Sequence, residues 1–457
     1  MDIESRIRDG RMTAFQLMTV ALCILATLSD GYDIIAISLA GPPLREEWGV
    51  DPVAYGYLLS AAIAGMVVGA VLIAPLADRF GRRRLAITGQ ALITLGMAMA
   101  WLAPGYHLML AGRFVTGIGI GTITAVMGVL VAEYSSRRWH GFMMAMFSTG
   151  LGLGGFLGGL IGMRLIPTAG WQSMFLLGAV INVVILALCV ALLPESLQFL
   201  ATSRRRDALT TLNRLLVRMH REPIDQLSAT PAEQHTSMRQ TARSMLSTEL
   251  LLVTVLLAVG YCILNATLYV NIGWTPDLIT TATEDTELGL TFGTLAPLGG
   301  AIGGLLYAVV SLRVRSHPLT VAALALGAGG AALLGITLLR GETILIVPLT
   351  MSIGFGAAIA GYYALIPAAY PTRIRSSAFG LHIGLGRLAA TLGPSVTGHL
   401  VAAGWGASSV FLGIAALLAV ALIALLPIRA AIRRGPDALP SSTAEPASAT
   451  VIERSTP

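Results

Sequence analysis

Runs of roughly 20 apolar residues, separated by short polar or Gly/Pro-containing gaps, recur along the whole chain. They predict helices near 15–38, 53–77, 84–103, 107–134, 140–164 and 171–193, then near 249–272, 287–311, 317–339, 343–366, 377–402 and 408–428. The runs are continuously apolar and do not alternate, which excludes a membrane β-barrel. The expected fold is therefore all-α and integral to the membrane, with twelve transmembrane helices in two six-helix halves. The halves cover 1–193 and 247–430, joined by a polar cytoplasmic linker at 194–246. The Pro-, Ser-, Ala- and Thr-rich stretch 431–457 reads as a disordered cytoplasmic tail.

The start of the chain has the outline of a signal peptide: Arg6, Arg8 and Arg11, an apolar run, then Ser38-Leu39-Ala40. That run is too long and contains Asp30 and Asp33, so it reads as an uncleaved first helix.

Composition agrees with the pattern. The chain is 55% hydrophobic and 12% charged, with a mean hydropathy of +0.76. Its net charge of +6 does not imply a nucleic-acid partner, because basic residues gather in cytoplasmic loops of membrane proteins. All 30 basic residues are arginine; with both termini cytoplasmic, 25 fall in cytoplasmic segments and three (Arg45, Arg164, Arg340) in outer ones. Arg113 and Arg387 lie inside helices. The expected location is the inner membrane, multi-pass, with the bilayer as surroundings and the monomer as working unit. Cys23, Cys189 and Cys262 each sit in an apolar run and read as buried bystanders. Trp48, Trp101, Trp171 and Trp274 read as interfacial anchors. No nucleotide-binding loop or metal-ligand spacing occurs, so no cofactor or metal is expected.

Two motifs carry chemistry. The gap after helix 2 reads Asp78-Arg79-Phe80-Gly81-Arg82-Arg83-Arg84, an acid at a helix end beside several arginines, which suits a conformational latch. Helix 1 carries Asp30-Gly31-Tyr32-Asp33, with two carboxylates at i and i+3 on one face. A charge at mid-membrane costs roughly 2.5–3.5 kcal/mol on the insertion scale, so such acids line a cavity, or else lie near the solvated helix end. Lining a cavity would make them candidate proton carriers. Arg113 and Arg387 offer planar, bidentate binding to a carboxylate; each is read either as a substrate anchor or as the partner of a helix 1 aspartate.

The Asp78–Arg83 run matches the D-R-x-G-R-R core of the signature loop of the major facilitator superfamily. Asp30-Gly31-Tyr32-Asp33 resembles the D-G-[FY]-D pattern of its aromatic acid:proton symporter family. Gly112-Arg113-Phe114, Pro194-Glu195-Ser196, and Tyr370-Pro371-Thr372-Arg373-Ile374-Arg375 running on to Gly386-Arg387 and Gly393-Pro394 agree with it. The resemblance spans helices 1 to 11. It implies the major facilitator fold, two pseudo-symmetric halves, and alternating-access uptake of a benzoate-, hydroxybenzoate- or phenylpropanoid-type acid with a proton, with no enzyme activity. By resemblance, Asp30, Asp33, Arg113, Glu133, His317, Arg375 and Arg387 fall where charged or titratable residues matter for transport.

Read individually, Asp30 and Asp33 are the proton-coupling pair, and Arg113 and Arg387 the substrate carboxylate ligands. Asp78, Arg79, Arg82, Glu133 and Arg375 are latch or gating residues, although Glu133 also suits a local salt bridge with Arg137 or Arg138. His317 and His382 are possible proton relays, with a solvated helix start the other reading of His317. Two rival functions remain: a proton-driven drug or metabolite exporter, suggested by Gly141, Gly150, Gly154 and Gly158-Gly159 in helix 5, and a membrane sensor on a transporter scaffold.

Overall fold

The computed structural model describes residues 12–203, 207–224, 226, 250–340, 344, 346–370 and 374–428. Arg373, the 431–457 tail and most of the linker beyond Met219 lie outside the described residues.

Twelve long helices run through these residues. They are α1 (Ala14–Trp48), α2 (Pro52–Phe80), α3 (Arg82–Trp101), α4 (Tyr106–Tyr134), α5 (His140–Ala169) and α6 (Gln172–Leu192), then α7 (Leu251–Thr283), α8 (Thr286–Val310), α9 (Ser316–Leu339), α10 (Ile346–Ala368), α11 (Arg375–Ala402) and α12 (Ala407–Leu425). Ten of them are continuously apolar over a membrane-spanning length. The exceptions are α3, which opens on Arg82-Arg83-Arg84, and α11, which carries His382 and Arg387.

Polar caps set several starts. Thr13 and Gln16 form a reciprocal capping box on α1. Asp51 caps α2 ahead of Pro52 at the first helical position. Asp285 caps α8. Near its arginine-rich end α2 loosens into a π turn at Gly69–Ile73 and a 3-10 turn at Ala74–Leu76, next to Pro75.

The ends of α1 and α7 depart most from the sequence pattern. Both helices continue about ten residues past the predicted stops, through Pro42-Pro43 and Pro276 respectively. A proline ends a helix only if its ring clash and missing N–H bond go uncompensated; packing between these two extensions holds both helical.

The packing is pseudo-symmetric. In the first half α1 packs on α5, α2 on α4, α3 on α4, and α3 on α6; adding six to every label gives the contacts of the second half. Small residues permit the approach: a Cβ on Gly31 would lie 2.0 Å from the carbonyl of Leu151, and one on Gly154 would lie 1.9 Å from that of Leu28. Of the α5 glycines that suggested an exporter, Gly150, Gly154 and Gly158 meet α1 and Gly159 meets Thr294 of α8, while Gly141 faces open space.

The halves touch through α2 with α11, α5 with α8, and α1 with α7. Among the described residues between Leu192 and Leu251, two short amphipathic helices, Leu197–Thr202 and Ala208–Arg218, follow the first half. The second turns Leu212, Leu215 and Leu216 inward and sets Arg218 over the ring of Phe15.

Candidate functional site

Three polar layers follow one another from the arginine-poor end to the arginine-rich end, the first of them bridging the two halves. The first closes the arginine-poor end. There the extended α1 and α7 meet, and Arg45 donates to Asp277 at 2.5 Å across the halves. Ser38 Oγ donates to the carbonyl of Ile272 at 2.6 Å, and Tyr55 Oη to that of Gly273 at 3.2 Å. Trp274 stacks edge-on against Tyr55 and donates to the Pro394 carbonyl. Trp274 is fully buried, so it is a strut of this seal and not an interfacial anchor. Trp171, also buried, donates to Glu47 and meets Trp48 edge-on. Asp277 is a buried helical residue.

The second layer lies near mid-helix. Asp33 and Arg113 form an ion pair, Nη1 to Oδ1 at 2.5 Å, with side-chain exposures of 0% and 2%. Asp30, one turn closer to the arginine-rich end, is also buried, and its Oδ2 accepts from Thr124 Oγ at 3.4 Å. Its Oδ1 has no hydrogen-bond partner, nor has Nη1 of Arg387 on α11. Arg387 lies within electrostatic reach of both Asp30 and Tyr269. A buried carboxylate oxygen and a buried guanidinium nitrogen without partners are costly, and they mark a place where a ligand can complete the bonding.

Between seal and acids lies a small cavity of about 20 Å³, room for about one water, lined from α1, α2, α4, α7 and α11, with Arg113 and Tyr269 among its walls. Behind Asp30, Ser29 donates to Asn182 at 2.8 Å and Gln90 donates to the same oxygen at 2.5 Å, all three side chains buried. This bond network fixes α1 to α3 and α6 beside the acid.

The third layer is at the arginine-rich end. Gly81 has φ +101, a conformation that favours glycine, and turns α2 into α3. The turn lets Arg82 reach Glu133 at the end of α4 and Ser196 after α6. Glu133 also accepts from Ser196 Oγ at 2.9 Å and from the backbone N–H of Leu197. Arg83 donates to Glu195, to Leu193 and, at 2.5 Å, to Val190. This network ties together α2, α3, α4 and the segment after α6 within one half. Asp78 stands largely in solvent, 3.8 Å from Arg82, and Arg79 stacks over Phe80.

The remaining sequence-predicted residues stand apart from the centre. His317 Nε2 bonds the carbonyl of Leu425 at 2.9 Å, at the end of α12. His382 is fully buried, with Nδ1 on the Ala378 carbonyl and Nε2 3.5 Å from Tyr370 Oη. Arg375 begins α11, half-buried, with Nε unpartnered. Thr124 was not singled out in the sequence, and Arg45 and Asp277 were not read there as a pair. Thr124 is one of many threonines in apolar runs, and nothing in the spacing joins residues 45 and 277.

The arrangement defines a class: a multi-pass membrane protein of two repeated six-helix halves around a buried charged centre, sealed at one end. The xylose transporter XylE of E. coli, in a partially occluded inward-open conformation, superposes with a TM-score of 0.70 over 91% of this chain and 99% of that one, at 15% identity. The Major Facilitator Superfamily model matches residues 23–341, and the chain belongs to that superfamily. A gallate transporter of Pseudomonas putida is 30% identical over 416 residues, 90% of this chain and 91% of that one. The 4-hydroxybenzoate transporter PcaK of Pseudomonas aeruginosa is 27% identical over 435 residues, 93% and 95% of the two chains. The 3-(3-hydroxy-phenyl)propionate transporter of Escherichia coli is 26% identical over 394 residues.

Proposed function

We propose that this protein takes up a small aromatic carboxylate together with a proton, by alternating access between its two halves. It is a transporter and not an enzyme. The observation that carries the reading is a pair of unsatisfied buried groups, Asp30 Oδ1 and Arg387 Nη1, on residues within electrostatic reach of each other. The full-length relatives are named for gallate, 4-hydroxybenzoate and hydroxyphenylpropionate transport, which supports the same cargo class.

In this reading Arg387 receives the substrate carboxylate and Asp30 carries the proton. An anion entering beside ionised Asp30 would add like charge in a poorly solvated place. Protonation of Asp30 removes that repulsion and the cost of burying its charge, so substrate and proton enter together. Asp33 and Arg113 neutralise each other, and Arg113 stands in the cavity wall. The Arg45–Asp277 bridge and the Trp274–Tyr55 seal act as the outer gate, which opens to admit cargo. The Arg82–Glu133–Ser196 network and exposed Asp78 serve the opposite gate, where the first half moves as a unit. The arginine-rich end, with both termini, faces the cytoplasm across the inner membrane; 194–246 is the linker, and the monomer suffices.

The test is uptake by purified protein in vesicles with a pH one unit lower outside. One proton per monovalent anion is electroneutral, and one unit of pH is about 1.36 kcal/mol, so labelled benzoate or 4-hydroxybenzoate should approach about tenfold accumulation at an initial rate well above that of protein-free vesicles. A carrier-mediated ratio of one would sink the proposal.

A further inference from the structure

We infer that the cleft on the outer side of the seal is a docking site for a small carboxylate, in which the cargo anion takes the place of Asp277 on Arg45 and so releases the outer gate. The inference rests on the reading of the cargo as a carboxylate. The cleft has a volume of about 410 Å³, within the range of small-molecule sites. Its walls include Pro42, Pro43, Arg45 and Glu46 of α1 and Asp277 and Thr281 of α7. Arg45 is the cation among the described residues that line it.

Arg45 is held in place with one side open to the cleft. Its guanidinium lies over the ring of Tyr55, 5.8 Å from the centroid. Nε donates to the Val50 carbonyl at 3.3 Å and Nη1 to Asp277 at 2.5 Å. The side chain still exposes 21% of its surface, against 5% for Asp277, so the outer solution meets the arginine more than the acid. A carboxylate in the cleft offers the planar pair of acceptors that a guanidinium binds best. The other contacts described for the seal are neutral: Ser38, Tyr55 and Trp274 bond carbonyl oxygens. The Arg45–Asp277 bridge is thus the part of the seal that an anion can exchange. Asp277, once released, is hydrated as the halves part, which avoids leaving a buried charge unpaired. Glu46 and Asp277 oppose an anion and keep the docking weak, and a site that hands its ligand inward must let it go.

The test labels Ser38→Cys with a membrane-impermeant maleimide in intact cells, where the reagent meets the outer face alone; Ser38 is fully buried in the seal. The full chain without that substitution gives the background from Cys23, Cys189 and Cys262. External benzoate should raise the labelling rate about fivefold, the worth of a partly exposed ion pair, and benzamide, which lacks the charge, should not. The rise should persist when Arg387→Gln removes the central anchor, and Arg45→Gln should label rapidly with or without benzoate. As a second readout, labelled benzoate at equilibrium should bind the purified Arg387→Gln protein about tenfold or more tighter than the Arg45→Gln/Arg387→Gln protein, the worth of one charged hydrogen bond. No rise with benzoate, an equal rise with benzamide, a rise lost in Arg387→Gln, or equal binding by those two proteins overturns the docking site. Absence of benzoate uptake in the vesicle assay overturns the proposed function instead.

Discussion

Asp30→Asn should abolish concentrative uptake while leaving exchange of substrate across the membrane. The asparagine keeps the shape and the bond to Thr124, and it resembles the protonated acid that admits the anion. The binding step then persists, but the cargo no longer brings a proton. Under a one-unit pH gradient the accumulation ratio should fall from about ten to one, a loss of about 1.36 kcal/mol of driving force. Counterflow of labelled for unlabelled benzoate in the same vesicles should continue. An Asp30→Asn protein that still accumulates substrate would assign the proton elsewhere.

The second large effect is on stability. Arg113→Gln leaves Asp33 buried beneath the seal without its countercharge, and loss of one partner of a buried pair costs about 3–5 kcal/mol. Both side chains are almost wholly excluded from solvent, so water offers little relief. The double variant Asp33→Asn/Arg113→Gln restores charge balance and should recover most of the loss, because a neutral pair avoids the desolvation penalty. Thermal unfolding of the detergent-solubilised protein reads the difference. Equal destabilisation by the single and double variants would mean that the pair does not act as a unit. If Arg113 were the substrate anchor instead, Arg113→Gln would weaken binding with little loss of stability.

Much of the fold is legible because the membrane imposes one rule: backbone groups must be satisfied within the segment, so a long apolar run is a helix. All twelve helices follow from it. The rule is silent about where a helix ends once it leaves the hydrocarbon. The apolar pattern ends near 38 and 272, yet α1 and α7 run on through Pro42-Pro43 and Pro276, where the two helices pack on each other. That extension carries Arg45 and Asp277, and the outer gate was invisible for that reason.

The central site was legible in its members and not in its pairings. Asp30, Asp33, Arg113 and Arg387 stand out because each breaks an apolar run. Which acid meets which arginine depends on helix rotation, set by small residues such as Gly31 against Leu151. The structure pairs Asp33 with Arg113 and leaves Asp30 near Arg387. Glu133 similarly stands beside Arg137 and Arg138 in sequence but pairs with Arg82, because Gly81 turns that arginine toward it. Buried Gln90 and Asn182 were missed altogether, since an isolated amide in an apolar run gives little signal of the partner it will find.

The central claim, that an aromatic acid and a proton move in the same direction, is tested most directly by the sign of the proton flux. Purified protein in lightly buffered vesicles, with no imposed gradient, is given external benzoate, and the pH on both sides is followed against protein-free vesicles. Symport predicts that the medium becomes more alkaline and the lumen more acidic, at about one proton per benzoate, faster than in the controls and lost in Asp30→Asn. A lumen that turns alkaline as benzoate enters would establish antiport, and benzoate entry with no protein-dependent proton flux would contradict coupling.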